Sequence, residues 1–486
     1  MLAWWPTPEG VSALEIEFNQ PLDEWATFWL PVDTAHTVTG RLIYKPRDGI
    51  TIEAVGQIAP NIGFNDSGES TLHTIHGQRM GGGLFTLGHS FIQKRSFGAG
   101  GRGPITLRSN RILFGGHFSD CDTVKVISCT FSLTSLEFWH GQVPFSEEQQ
   151  LDKNEKPIGY DHRFRFPKTI EIPVTELRMK VKIGWQCLRF HSIVERNMRA
   201  VAFITLEFDE PTPRVKACDL AFSLQTLLSL LIGARVDQRW LEFTVAGDGQ
   251  TVTPCRMLAA QIGGSQAAEV QVPLISYSAV KDIFSEMVTK WFARDEQAQM
   301  AAHLYFWSLL QESGPVEVRF LTAIQAIEAY YRSLPDGLYM EKEEFDLACN
   351  KVISAIPTEI SGDHRKSLTN RLRYGNEYSM RKRLIELFNR LPHQLSQRIS
   401  ADDPQTFVDR VVNTRNYFTH RDERAKSQAF CALDVIRATE RLKCLLAAVI
   451  VADLGVNSQM LETAIQDNNH FKHWLDQPLS TPHESL

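Results

Sequence analysis

The feature that most constrains this 486-residue chain is a change of hydrophobic period near Ala279. Before it, apolar residues tend to recur at every second position; after it, they recur every three to four. The first pattern buries one face of a strand and the second one stripe of a helix. The chain should therefore fold as two kinds of structure in series. Alternation in Gly40–Tyr44, Thr123–Ser128 and Arg178–Ile183 predicts half-buried antiparallel strands. Ala200–Phe208 is rich in β-branched and aromatic residues and predicts another. One helix, Ala217–Leu231, is expected among them, stopped by Gly233. Pro167 and Pro173 mark an internal seam near 163–174.

Beyond Ala279 the helical period predicts Val280–Asp295, Gln297–Gln311, Val316–Ser333, Lys342–Ile356 and Lys366–Arg373. It continues in Tyr378–Leu391, Pro404–Thr419, Lys426–Leu454 and Ser458–Leu475. Glu312–Pro315 breaks the run, and Pro335-Asp336-Gly337 makes a turn. The expected architecture is multidomain α+β: a β-rich N-terminal region, residues 1–290, and an all-α bundle, residues 291–478.

Composition narrows the function classes. With 43% hydrophobic residues the chain is neither disordered nor fibrous. Its 51 Lys+Arg against 57 Asp+Glu give a net charge of −6, so any nucleic-acid contact needs a local basic face. Met1–Pro6 lacks a basic segment leading into an apolar core, so no signal peptide is expected. The longest apolar run found, Cys444–Ala452, falls short of the ~20 residues that cross a bilayer. The eight cysteines are scattered without a C-x-x-C pair, which fits reduced thiols and a cytoplasmic location.

Chemistry concentrates on one predicted helix. Asp403-Pro404 is an N-cap followed by proline at the first helical position. With Phe407 at 0° and about 100° per residue, Val408, Val411, Val412 and Phe418 share one apolar arc. Arg415 falls inside that arc, at about 80°. An arginine cannot be neutralised, so a buried one must be paired or must face an anion. Asn416 and His420 are i, i+4 neighbours just beyond the arc. On Val316–Ser333, Glu328 falls in the apolar arc of Phe320, Leu321, Ile324 and Tyr331. Two helices thus each insert one charge, of opposite sign. Glu328 is expected to pair with Arg415, or to orient it toward a bound phosphate.

These residues carry a resemblance. Arg415-Asn416-Tyr417-Phe418-Thr419-His420 is similar to the R-N-x-x-x-H form of the Arg-x4–6-His motif of HEPN-domain ribonucleases. The segment Phe320–Tyr331, with Ala326-Ile327-Glu328, resembles the glutamate-bearing helix that precedes the motif in that family. A long β-rich region before such a domain resembles the ApeA-like anti-phage proteins, and Thr226–Gly233 before Trp240-Leu241-Glu242-Phe243 is similar to the end of their N-terminal region.

The resemblance implies metal-free cleavage of RNA, in which a ribose 2′-OH attacks its own phosphate. Arg415, Asn416 and His420 would be catalytic and Glu328 supporting. Histidine exchanges protons near neutral pH, and arginine binds phosphate oxygens through two parallel bonds. No Asp/Glu/His cluster of the two-metal type lies near the motif, and no cofactor is expected. One motif supplies one histidine, whereas the reaction needs two proton transfers. A homodimer with facing motif helices supplies both. The resemblance further implies cellular RNA as substrate, tRNA anticodon loops first, and abortive infection as the setting. Such an enzyme must be silent until infection, so the N-terminal region is expected to be its sensor or restraint, with a phage-derived trigger protein as a partner. The rival readings are a non-catalytic HEPN dimer that binds RNA or a partner, and the toxin of a toxin–antitoxin pair.

Between Ser361 and Ser400 nine Lys/Arg face three Asp/Glu, with Tyr374 and Tyr378 among them. Arg371, Arg373, Arg381, Lys382 and Arg383 are the RNA-binding candidates, since cations interleaved with aromatics suit single-stranded RNA. Other signals are weaker. Gly81–Gly83 and Gly98–Gly103 lack the P-loop order and are expected loops. His73 and His76 should point to opposite faces of a strand, so with His89 they are not expected to bind metal.

Overall fold

The computed structural model describes residues 17–56, 58, 71–96, 103–191, 196–246, 252–260, 267–310, 314–335 and 337–480. The expected loop at Gly98–Gly101 and the turn residue Asp336 lie outside them. Contacts divide the chain into two compact units. The first comprises Met1–Leu228, Val236–Val272 and Ser276–Ser278; the second comprises Ser229–Arg235, Pro273–Ile275 and Ala279–Leu486.

Six strands open the first unit: β1 (Leu22–Leu30), β2 (Asp33–Lys45), β3 (Gly49–Val55), β4 (Thr71–Arg79), β5 (Leu84–Arg95) and β6 (Pro104–Phe114). They pair antiparallel in the ring β6–β3–β2–β1–β4–β5, and β5 closes it by pairing with β6. Closure leaves no free edge between them. The interior follows the two-residue period: Val38, Leu42 and Tyr44 from β2, Ile50, Ile52 and Ala54 from β3, Ile105 and Leu107 from β6 are all buried. Phe85 sits among Phe28 and Phe114, with ring centroids 5.8 and 6.0 Å away. Its ring lies across Gly77, where any side chain would collide with it.

The chain continues through β7 (Lys125–Leu133), α1 (Leu136–His140), β8 (Phe145–Leu151), β9 (Pro157–Phe164), β10 (Ile170–Val174), β11 (Met179–His191), β12 (Arg196–Pro213), α2 (Arg214–Ile232), β13 (Gln238–Ala246) and β14 (Val252–Ala259). β8 and β9 form a separate hairpin. The others make an antiparallel sheet in the order β10–β11–β12–β7–β13–β14, joined to the barrel at β6. β6 is the hub: Pro104–Ser109 pair with β3, Arg111–Phe114 with β14, and its other edge with β5. His76 stacks on His117 at 4.5 Å and donates Nε2 to the Phe118 carbonyl at 2.9 Å.

α2 corrects the sequence reading of apolar runs. By length and composition alone it could cross a membrane, yet most of it is buried in the protein. Ser223, Gln225, Thr226 and Ser229 interrupt its apolar residues, so no continuous run stands out.

The second unit holds α3 (Tyr277–Val280) in part, then α4 (Phe284–Phe292), α5 (Glu296–Leu310), α6 (Val316–Arg332), α7 (Lys342–Ser354), α8 (Gly362–Arg373) and α9 (Met380–Asn389). It ends with α10 (His393–Ser400), α11 (Pro404–His420), α12 (Glu423–Lys426), α13 (Ala432–Asp453), α14 (Ser458–Asp467) and α15 (Asn469–Leu475). α13 is the central rod; it packs against α6, α9, α10, α14 and α15. Residues Ala438–Val451 of it are all buried. Three expected single helices are broken, the first being Val280–Asp295, which divides between the end of α3 and α4. Asn468 ends α14 and caps α15 by accepting the Phe471 N–H at 3.1 Å. The segment 427–431 separates α12 from α13.

Candidate active site

α11 is set by its ends. The Asp403 carboxylate accepts the Gln405 and Thr406 N–H groups at 3.2 and 3.0 Å, with Pro404 next. The Thr406 hydroxyl and these N–H groups hold the Asp403 carboxyl below its ordinary range. The helix stops at Arg421, a left-handed residue at φ 54° whose N–H bonds to the Tyr417 carbonyl at 2.8 Å. Between these ends Phe407 packs on Phe388 of α9 and on Phe430, and Phe418 meets Phe320 of α6 at 5.8 Å.

The buried face is Phe407, Val408, Arg410, Val411 and Thr414. This turns the helix about 40° from the expected arc. The cause is polar. Thr414 accepts the Phe430 N–H at 2.9 Å and donates to the Arg410 carbonyl at 2.7 Å. Arg410 bonds to the Ser480 carbonyl at 2.6 Å, pairs with the fully buried Asp434 at 3.5 Å and lies over the Phe430 ring at 4.2 Å. Thr414 is satisfied inside and Arg410 bonds there through both terminal nitrogens, so both can face inward.

Arg415 therefore sits at the margin. It is half-buried, and its Nη1 donates to Asn416 Oδ1 at 3.3 Å. The expected ion pair with Glu328 is not formed: Glu328 is half-buried on α6, and no ion pair joins it to Arg415 among the described residues. A marginal arginine keeps contact with water and needs no buried carboxylate. Asn416 is half-buried beside it, and His420, the last residue of α11, is exposed. The three motif residues thus share one helix end, with an arginine that no carboxylate neutralises among the described residues.

The buried carboxylates lie on α13. Glu440 pairs with Arg319 at 3.0 Å and with Lys443 at 2.9 Å, and His470 approaches it at 3.6 Å. Burial alone would raise its carboxyl; His470 and Lys443 outweigh that and hold it at about 2. Asp434 serves Arg410, Arg437 at 3.1 Å and Ser480. Arg441, fully buried, donates to the carbonyls of Arg398, Ile399, Leu475 and Gln477. Sequence reasoning missed all of these. The available signal was the set of charges from Asp434 to Lys443 leading into the longest apolar run of the sequence.

The RNA-binding candidates separate into two groups. Arg381, Lys382 and Arg383 lie together on α9, and each meets an internal carboxylate: Asp409 on α11, Glu386 at 3.0 Å, and Glu377 at 2.7 Å. Lys382 also lies over Tyr378 and Arg383 over Tyr331. Arg371 and Arg373 are exposed on α8, beside the exposed Tyr374, with no ion pair among the described residues.

A strand-rich unit followed by a helical unit with an Arg–Asn–His end is the build of a two-part HEPN protein. The family model "ApeA N-terminal domain 1" matches residues 25–291, more than half the chain, and "Apea-like HEPN" matches residues 321–460. The chain belongs to the ApeA family and carries its C-terminal HEPN domain. HEPN domains are generally ribonucleases, commonly bind RNA and dimerise, and this family membership supports a HEPN nuclease in anti-phage defence. Neither a curated protein nor a solved structure matches it.

Proposed function

We propose that this protein is a metal-independent endoribonuclease of the cytoplasm. It cleaves cellular RNA, tRNA anticodon loops first, during abortive infection, under control of its strand-rich unit. The observation that carries this reading is the unspent Arg415 beside Asn416 and the exposed His420 on one helix end. His420 takes the proton of a ribose 2′-OH as that oxygen attacks the adjacent phosphorus. Arg415 binds the phosphate oxygens and offsets the charge that grows on them. Asn416 holds the Arg415 guanidinium, and Glu328 supports the site from α6. The P–O5′ bond breaks, the 5′-oxygen takes a proton, and a 2′,3′-cyclic phosphate remains.

The leaving oxygen needs a proton donor on the far side of the phosphorus. A second copy facing the first across the α11 ends supplies it through its own histidine, so the working species is a homodimer. A fully active monomer in sedimentation would remove this step. The main test compares wild type with His420→Ala in infected cells and sequences RNA ends. The expected outcome is loss of both protection and new cyclic-phosphate ends; protection that persists in His420→Ala sinks the catalytic reading.

A further inference from the structure

The helix end that carries His420 has a second set of cations. Arg421 follows His420 directly, in a left-handed conformation that favours glycine. Its guanidinium centre lies 5.7 Å from the centroid of the Tyr417 ring. Lys426, on α12, places its Nζ 5.8 Å from the same centroid. Tyr417 thus gathers two cations that arrive from different elements. Arg421, Arg424 and Lys426 are all exposed.

The nearby carboxylates do not neutralise this group. Asp422 caps α12 by accepting the Arg424 N–H at 3.0 Å. Glu423 pairs with Lys426 at 3.3 Å on the open surface, a contact worth little there. Arg421 and Arg424 have no ion pair among the described residues. Strain from a non-glycine residue at positive φ tends to collect at functional sites, and Arg421 sits next to the proposed base.

We propose that Arg421 and Lys426, ordered by Tyr417, form a phosphodiester-binding subsite that holds an RNA strand beside the bond to be cleaved. The proposal rests on the nuclease reading above. Tyr417 is a positioning residue; the two cations touch the strand. RNA is the partner because the cluster carries excess positive charge and continues the Arg415–His420 end, where a flexible phosphate chain must lie.

The test uses the full chain and a labelled single-stranded RNA oligonucleotide. In the His420→Ala background, adding Arg421→Gln and Lys426→Gln should weaken binding about 10-fold. The slope of log affinity against log salt should fall by about 1.4, or 0.7 for each lost phosphate contact. With His420 present, KM should rise about 10-fold while kcat changes less than threefold. Tyr417→Phe should keep the affinity, and Tyr417→Leu should lose about threefold. The pair Arg421→Lys and Lys426→Arg, which keeps both charges, should restore the salt slope. Unchanged affinity and slope in the double glutamine variant overturn the proposal. So does unchanged RNA binding with lost protection of infected cells, which assigns the surface to a protein partner. If His420→Ala still cleaves RNA, the nuclease reading fails while the binding result stands on its own.

Discussion

The two halves of α11 use arginine in opposite ways. In the first half Arg410 is inside, its charge met by Asp434, its Nη1 by the Ser480 carbonyl, its face by Phe430. In the second half Arg415 lies at the margin and, among the described residues, bonds to an amide oxygen and to no carboxylate, with His420 and Arg421 in the open beyond it. One helix therefore spends one arginine on holding the unit together and keeps another available. A charge already paired in the resting protein must break that pair before it can bind a phosphate. The unpaired one needs no such step.

This contrast can be broken by substitution. The largest effect should come from the open end: His420→Ala should lower RNA cleavage about 10²–10⁴-fold, and Arg415→Gln about 10²–10³-fold. Thermal and urea melts of both should match wild type. A fall in stability would mean that Arg415 is as structural as Arg410. Next, Arg410→Ala should cost about 1–3 kcal/mol in urea titration, because it removes one of the two arginines of the buried Asp434 and leaves the Ser480 carbonyl without its donor. Its cleavage rate per folded molecule should stay near wild type.

The buried charges of α13 extend the same contrast to pH. The Glu440 carboxyl is held down to about 2 in the fold. Its stabilisation is therefore complete above about pH 4.5 and is lost as pH falls toward 2, a change on the order of 3 kcal/mol. Glu440→Gln should flatten acid unfolding in that window. An unaltered curve would show that the network does not set acid stability. The smallest effect concerns the basic helices. Replacing Arg371 and Arg373 by glutamine should weaken RNA binding several-fold and lower its salt slope by about 1.4. Replacing Arg381 and Arg383, whose charges already meet Asp409 and Glu377, should change it less.

Much of the architecture was legible from period alone. The helical stretch past Ala279 and the strands around Leu42, Val126, Val181 and Ile204 follow directly from spacing. The hairpin of β8 and β9 was not, because Glu147, Glu148, Gln149 and Gln150 form an exposed strand without alternation. Barrel closure was hidden for another reason: pairing Phe85 with Phe114 depends on the register of distant strands, which no local window contains. At the site, the Asp403-Pro404 start and the spacing of Arg415 and His420 placed the motif on its helix. The Glu328 pairing failed because an arc of apolar residues counts Arg410 and Thr414 as outward. Their partners, Asp434, Ser480 and Phe430, lie on other segments and were invisible to that count.

The three-way junction at β6 bears on how the molecule is made and cut. On one edge its first half is matched by β3, which precedes it in synthesis; the second half, Arg111–Phe114, waits for β14. Until Val252–Ala259 has been translated, the closed barrel carries one short raw edge of unpaired backbone groups, a template for another chain. Fragments that stop before Val252 should therefore be prone to self-association, however complete their barrel. A cleavage made after β14 leaves that edge sealed.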